Sequence, residues 1–141
     1  MKKSIYKYGV LLLVLLAGCN ADIHTKRWAA KTVKHNSPIT FVDGYLELYY
    51  VENDAMGFSM LHNMNSSVRR PLLTGLTVAA TLVFIFTVWF MRKHSFFYIL
   101  PFFIILAGAF GNLADKIRYG YVIDFIHFHI RDIFDWPFIF N

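Results

Sequence analysis

Cysteine and charge are what this sequence has least of. Cys19 stands alone, which excludes an internal disulfide and any cysteine-built zinc cage. Charged residues make up only 16% of the 141 residues, against 57% apolar and 18% aromatic, a balance too apolar for an ordinary soluble domain of this length. The formal charge of +5 is spread along segment ends rather than gathered in one patch, which argues against a nucleic-acid partner. Also missing are a Ser-His-Asp order, a phosphate-cradling glycine loop, an HExxH helix, internal repeats and low-complexity segments. His127 and His129 are the one close histidine pair; on a strand they would share a face, but no third ligand is arranged with them. Neither a metal nor a cofactor is expected.

Long uncharged runs are what the chain has instead. Pro71 to Met91 gives 21 residues without a charge, bracketed by Arg69-Arg70 and Arg92-Lys93, and Phe96 to Leu113 gives a further 18. At 1.5 Å per residue each crosses a bilayer core of about 30 Å, and the short link between them makes a helical hairpin. In the second run, Ala107, Gly108 and Gly111 offer small residues where another helix can approach closely. Gly9 to Ala21 is shorter, at 13 residues, but counting from Ile5 with Lys7 snorkelling reaches a marginal span. The fold class expected is therefore an α-helical integral membrane protein, one domain over 1–141, with spans at about 5–22, 70–91 and 95–114. Between the first two, "ITFVDGYLELYYVEN" alternates around Asp43-Gly44 and predicts a small extramembrane hairpin or sheet. "NDAMGFSM" and "HNMNSS" look like loop, and Asn65-Ser66-Ser67 is placed to cap the next helix. Residues from about 115 to 141 are taken as an extramembrane segment.

Charge counting does not fix the orientation. An inward N-terminus leaves Lys2, Lys3, Lys7, Arg92 and Lys93 on the cytoplasmic side, against Lys26, Arg27, Lys31, Lys34, Arg69, Arg70, Lys116 and Arg118 outside, opposite to the positive-inside rule.

Three polar groups at the end of the last span are costly at membrane depth and so invite a functional reading. Asn112 and Asp115 are three apart and share a helical face, although Asp115, Lys116 and Arg118 also suit a plain span end at the headgroups. Asp124 sits among Val122, Ile123, Phe125 and Ile126, where a carboxylate holds its proton more tightly unless something pairs with it. Asp22 and Lys26 are four apart on one face, and on spacing alone read as an interfacial ion pair closing the first span. Ahead of them, "VLLLVLLAGCN" after three lysines has the look of a lipoprotein leader ending at Leu16-Ala17-Gly18-Cys19.

"GNLADKIRYGYVIDFI" resembles the signature of the lipoprotein signal peptidases, signal peptidase II, in which Gly-Asn is followed by Asp-Arg and then Val-x-Asp-Phe. "ADIHTKRW" resembles the family's Asp-x-x-Thr-Lys block, "VENDAMGFSM" its Asn-x-Gly-x-Ala-Phe-Ser loop, and "WPFIFN" the start of its Phe-Asn-x-Ala-Asp block, all in the family's order. The resemblance implies a four-helix aspartyl endopeptidase of the bacterial inner membrane, N-terminus inside and active site toward the periplasm. Such an enzyme removes the signal peptide ahead of a diacylglyceryl-modified cysteine. Its expected partners are lipidated prolipoproteins and membrane phospholipid, and a monomer is expected. The resemblance makes Asp124 one of two catalytic aspartates, and Asp22, Lys26, Asn53, Asn112, Asp115 and Asn141 residues that shape the site or meet substrate.

Lys116 stands where the family has Arg, keeping the charge but losing the bidentate fork. Ala55 replaces a Gly, so a left-handed turn there would be strained. The second aspartate would fall three positions after Asn141, followed by a fourth helix, so the 141 residues are expected to be an inactive fragment of a longer gene product. Asp132 and Asp135 lie outside the family block and are not expected to substitute. The alternative, from a different class, is a non-catalytic protein acylated at Cys19 after loss of the leader.

Overall fold

The computed structural model describes the backbone of residues 2–36, 38–54, 65–130 and 134–140, and the side chains within 5–36, 38–54 and 65–128. In chain order it comprises α1 (Lys2–Asn36), β1 (Ile39–Val42), β2 (Leu46–Asn53), α2 (Ser66–Phe90), a 3-10 turn (Met91–Lys93), α3 (Phe96–Tyr119), β3 (Val122–Ile130) and β4 (Phe134–Phe140). Three helices, Ile5–Asn36, Ser66–Lys93 and Phe96–Tyr119, are long and apolar enough to cross a membrane. Their outward faces carry large apolar side chains such as Leu13, Phe86 and Phe97, which is where hydrocarbon replaces water as the solvent.

α1 runs past the span expected at 5–22, because nothing between Ile23 and Asn36 breaks a helix, and Pro38 follows its end. Along it, Leu11, Gly18, Asp22, Lys26, Ala29 and Val33 recur at helical spacing and form one stripe. The facing stripe on α3 is Ile99, Ala107, Gly111 and Asp115. The two helices run parallel: Gly18 meets Ala107 so closely that a β-carbon on Gly18 would lie 2.7 Å from that of Ala107, and Lys26 reaches Asp115. At the N-terminal end, Lys7 Nζ donates to the Arg92 carbonyl at 3.0 Å and Tyr8 Oη to the same oxygen at 2.7 Å. α2 packs on the other side of α3. Its N-cap is Asn65, whose side chain accepts from Ser67 N at 3.0 Å.

The sheet is antiparallel in the order β1-β2-β3-β4. The β1–β2 turn uses Asp43-Gly44, with Gly44 at φ 74° and Tyr45 N donating to Val42 O at 3.0 Å. β3 and β4 extend this hairpin, so much of the stretch after the third span is strand rather than loop. α3 continues to Tyr119, closes on Gly120 at φ 80° with its N–H on the Lys116 carbonyl at 3.0 Å, and passes almost directly into β3. Ala29 and Val33, on the extension of α1, pack with Ile123 and Phe125 of β3 in a core cluster outside the helix pairs. Burying each of the larger side chains contributes about 1.5–3 kcal/mol. That contact fixes the strand carrying Asp124 against the helix carrying Lys26.

Candidate active site

Lys26 is the centre of the polar interior. It is 2% exposed, and its ammonium lies 3.0 Å from Asp22 Oδ2, 2.9 Å from Asp115 Oδ2 and 2.8 Å from Asn112 Oδ1. Two carboxylates and an amide oxygen thus surround the ammonium, the amide as a hydrogen-bond acceptor and the carboxylates as ion-pair partners. A buried lysine is tolerable only under such pairing. Asp22, Lys26 and Asp115 are therefore not solvent-exposed charges but parts of one largely buried cluster. They join α1 to α3 inside the protein. Asp115 Oδ2 also accepts from Ile123 N at 3.4 Å, which ties the cluster to β3. A cavity of about 20 Å³, room for one water, lies against Lys26, Asp115 and Ile123.

Asp124 is next along β3 and 7% exposed. Val51 pairs with Asp124 and Asn53 with Val122, so Asn53 is the diagonal neighbour of Asp124 on one sheet face. Its Nδ2 donates to Asp124 Oδ2 at 2.7 Å. Burial pushes the Asp124 carboxyl above the usual carboxylate range, the Asn53 hydrogen bond and the Lys26 charge work against that, Asp115 adds to it, and Lys116 opposes it. The result is a buried carboxyl group held by an amide and lying beside an ion cluster.

The structure thus brings together Asp22, Lys26, Asn112 and Asp115 in one cluster and Asn53 with Asp124 in an adjoining pair. Asn141, Asp132 and the Ala55 turn lie outside the described residues, and of Asp135 only the backbone, on β4, is described. Lys116 Nζ donates to Thr77 Oγ1 at 2.8 Å, and Thr77 in turn donates to the Leu73 carbonyl at 2.9 Å. Thr77 is a partner the sequence did not suggest, since a threonine inside an apolar run has no local signal. Gly111 was legible as a close-approach residue, but not as the gap into which the Asp22 carboxylate fits. Among the described residues, no group of His, Cys, Asp and Glu is arranged to hold a metal ion.

A family model described as signal peptidase (SPase) II matches residues 12–141. The lipoprotein signal peptidase of Clostridium tetani is 29% identical over 130 residues, covering 92% of this chain and 80% of that protein. Its counterpart in Oleidesulfovibrio alaskensis is 30% identical over 131 residues, with 93% and 83% covered, and that of Syntrophus aciditrophicus 30% over 138, with 97% and 83%. Two solved structures of bacterial membrane enzymes, obtained in meso at 2.3 and 1.9 Å resolution, share the fold with TM-scores of 0.71 and 0.72. They are 21% and 23% identical in sequence, with 94% of this chain and 77% and 81% of theirs covered. With its three apolar helices, its sheet and a family match that takes in every candidate residue from Asp22 to Asp124, the chain belongs to the signal peptidase II family, the lipoprotein signal peptidases.

Proposed function

We propose that this protein is an aspartyl endopeptidase of the bacterial inner membrane that removes signal peptides immediately before the diacylglyceryl-modified cysteine of prolipoproteins. Asp124 is one of its two catalytic carboxylates. The observation that carries this is the buried Asp124 carboxyl, held at 2.7 Å by Asn53 on a strand that leaves the end of α3. Two facing carboxyls do not ionise together comfortably, so one stays protonated and the other charged. The charged one takes a proton from water while the protonated one donates to the scissile carbonyl. Apparent pKa values then belong to the pair. Asp22 and Asp115 are both bound to Lys26, which suits them to shaping the site rather than to the second carboxylate role. The resemblance puts that second carboxylate in the block opened by Asn141.

The N-terminus lies inside, the site faces the periplasm, and the enzyme acts as a monomer with phospholipid against its outward apolar faces. α1 is kept rather than cut at Cys19. Loss of the residues before Cys19 would remove the fully buried Leu11 and the Gly18–Ala107 contact, and the Cys19 thiol itself faces the Ala107 carbonyl at 3.7 Å. The test is cleavage of a lipidated prolipoprotein by the full-length membrane-embedded enzyme, second carboxylate included, and by its Asp124→Asn variant. A loss of about 10²–10⁴-fold is expected, the size of a general acid–base contribution. Equal cleavage by the two would overturn the assignment.

A further inference from the structure

Arg69 is a buried cation in the first turn of α2, 7% exposed, where the helix dipole disfavours positive charge and no acidic residue of that turn offsets it. Its guanidinium is paired with Asp54, a partner fifteen residues back in the chain. Asp54 directly follows Asn53, the last residue of β2 and the amide that holds Asp124. The next residue of the same turn, Arg70, lays its side chain on the glycine before β3: a β-carbon on Gly120 would lie 3.3 Å from Arg70 Cδ. Asn53 pairs with Val122, so the end of β2 and the start of β3 lie opposite each other, and one turn of α2 braces both.

We propose that Arg69, acting through Asp54, is a positioning residue for the Asn53–Asp124 hydrogen bond and so for catalysis; this rests on the reading of Asp124 as a catalytic carboxylate. The Asp54 carboxylate is engaged with Arg69, so the effect passes through the backbone of Asp54 into Asn53. A misplacement of order 1 Å at such a group costs about 10²-fold in rate. The hydrogen bond also favours the ionised form of Asp124, so loosening it raises that group's proton affinity. Among the described residues, the charged and polar groups acting on Asp124 are Asn53 from β2, Lys26 from α1, and Asp115 and Lys116 from α3, and of these Asn53 is the one joined to Arg69 through its neighbour.

The experiment measures kcat/KM against pH for cleavage of a lipidated prolipoprotein by the full-length enzyme, second carboxylate included, as wild type, Arg69→Gln, Arg69→Lys, Asp54→Asn and Asp124→Asn, normalised to folded protein in the membrane. Arg69→Gln and Asp54→Asn are expected to lower the rate about 10- to 100-fold. The limb of the profile that Asp124 governs moves to higher pH whether Asp124 is the base or the acid. Arg69→Lys, which keeps the charge without the fork, falls between. If Arg69→Gln does not accumulate, Arg69→Lys against Asp54→Asn carries the same comparison. Rates within twofold of wild type overturn the proposal, as does a lowered rate with an unmoved limb, since a merely structural brace changes the amount of folded enzyme and not its titration. An Asp124→Asn enzyme that still cleaves overturns the catalytic reading itself. An inactive Asp124→Asn beside a fully active Arg69→Gln overturns only the positioning role.

Discussion

Gly111 of α3 and the carboxylate of Asp22 on α1 compete for one space: a β-carbon built on Gly111 would lie far inside van der Waals contact distance of Asp22 Oδ2. Glycine here is the condition for Asp22 to reach Lys26. Gly111→Ala gains about 1 kcal/mol of helix propensity. It is nonetheless expected to destabilise the protein by about 1–3 kcal/mol net, because overpacking must push Asp22 off the ammonium. Gly108, on the same helix, has nothing within 4 Å of such a β-carbon. Gly108→Ala should therefore be neutral or stabilising by about 0.5–1 kcal/mol. Unfolding of both variants in the same detergent checks the contrast; equal behaviour would mean that Asp22 has somewhere else to go.

Lys26→Met keeps most of the side-chain volume and removes the cation that Asp22 and Asp115 share. Both carboxylates then stay buried beside each other, a loss expected to cost about 3–5 kcal/mol. Adding Asp22→Asn and Asp115→Asn to the same chain should recover much of it, since the deficit is uncompensated charge rather than lost packing. A single variant within about 1 kcal/mol of wild type would show that the cluster is not held by its charge.

Thr77→Val takes the oxygen from Lys116 Nζ and leaves a half-buried ammonium short of an acceptor. A cost of about 1–3 kcal/mol is expected. Pairing it with Lys116→Met should cost less than the sum of the two singles, because the partners share one interaction; a double-variant cycle reads this directly. Strict additivity would mean that the hydrogen bond contributes nothing.

What the sequence displayed and what it hid divide along contact distance. The spans, the Asp43-Gly44 turn and the Asn65 cap are local, set by composition or by a few adjacent residues, and could be read in order. So could the shared face of Asn112 and Asp115, three apart on one helix, though not the lysine from another helix that joins them. The pairing of β2 with β3 brings Asn53 to Asp124 across 71 positions, and no periodicity announces such a partner. β3 was also hidden by its own burial: Val122, Ile123, Asp124 and Phe125 are all buried, so the alternation that marks a half-exposed strand is absent. α1 extends past its apolar run because a polar helix is stable where one stripe, here Ala29 and Val33, finds a core. Arg69 looked like a flank of the second span, and only its burial against Asp54 sets it apart.

Asp124 should also be visible in how stability depends on pH. Burial raises its proton affinity in the folded protein above that of the unfolded chain. Between those two values the folded state holds the extra proton, so stability falls as pH rises through the window, and the full penalty applies above the folded value. The amide introduced by Asp124→Asn cannot titrate, yet its oxygen can still accept from Asn53. The variant is therefore expected to be more stable than wild type at neutral pH, with the gap closing as pH falls below the ordinary carboxylate range. The gap should open by about 1.4 kcal/mol for each unit by which the folded value exceeds the unfolded one. The ion pair of Lys34 with Glu52, which holds the Glu52 carboxyl low and gives a dependence of the opposite sign, is common to both proteins and cancels in the difference. Melting curves of the two proteins from about pH 4 to pH 8 supply the test, and parallel curves would refute the burial of a titrating Asp124.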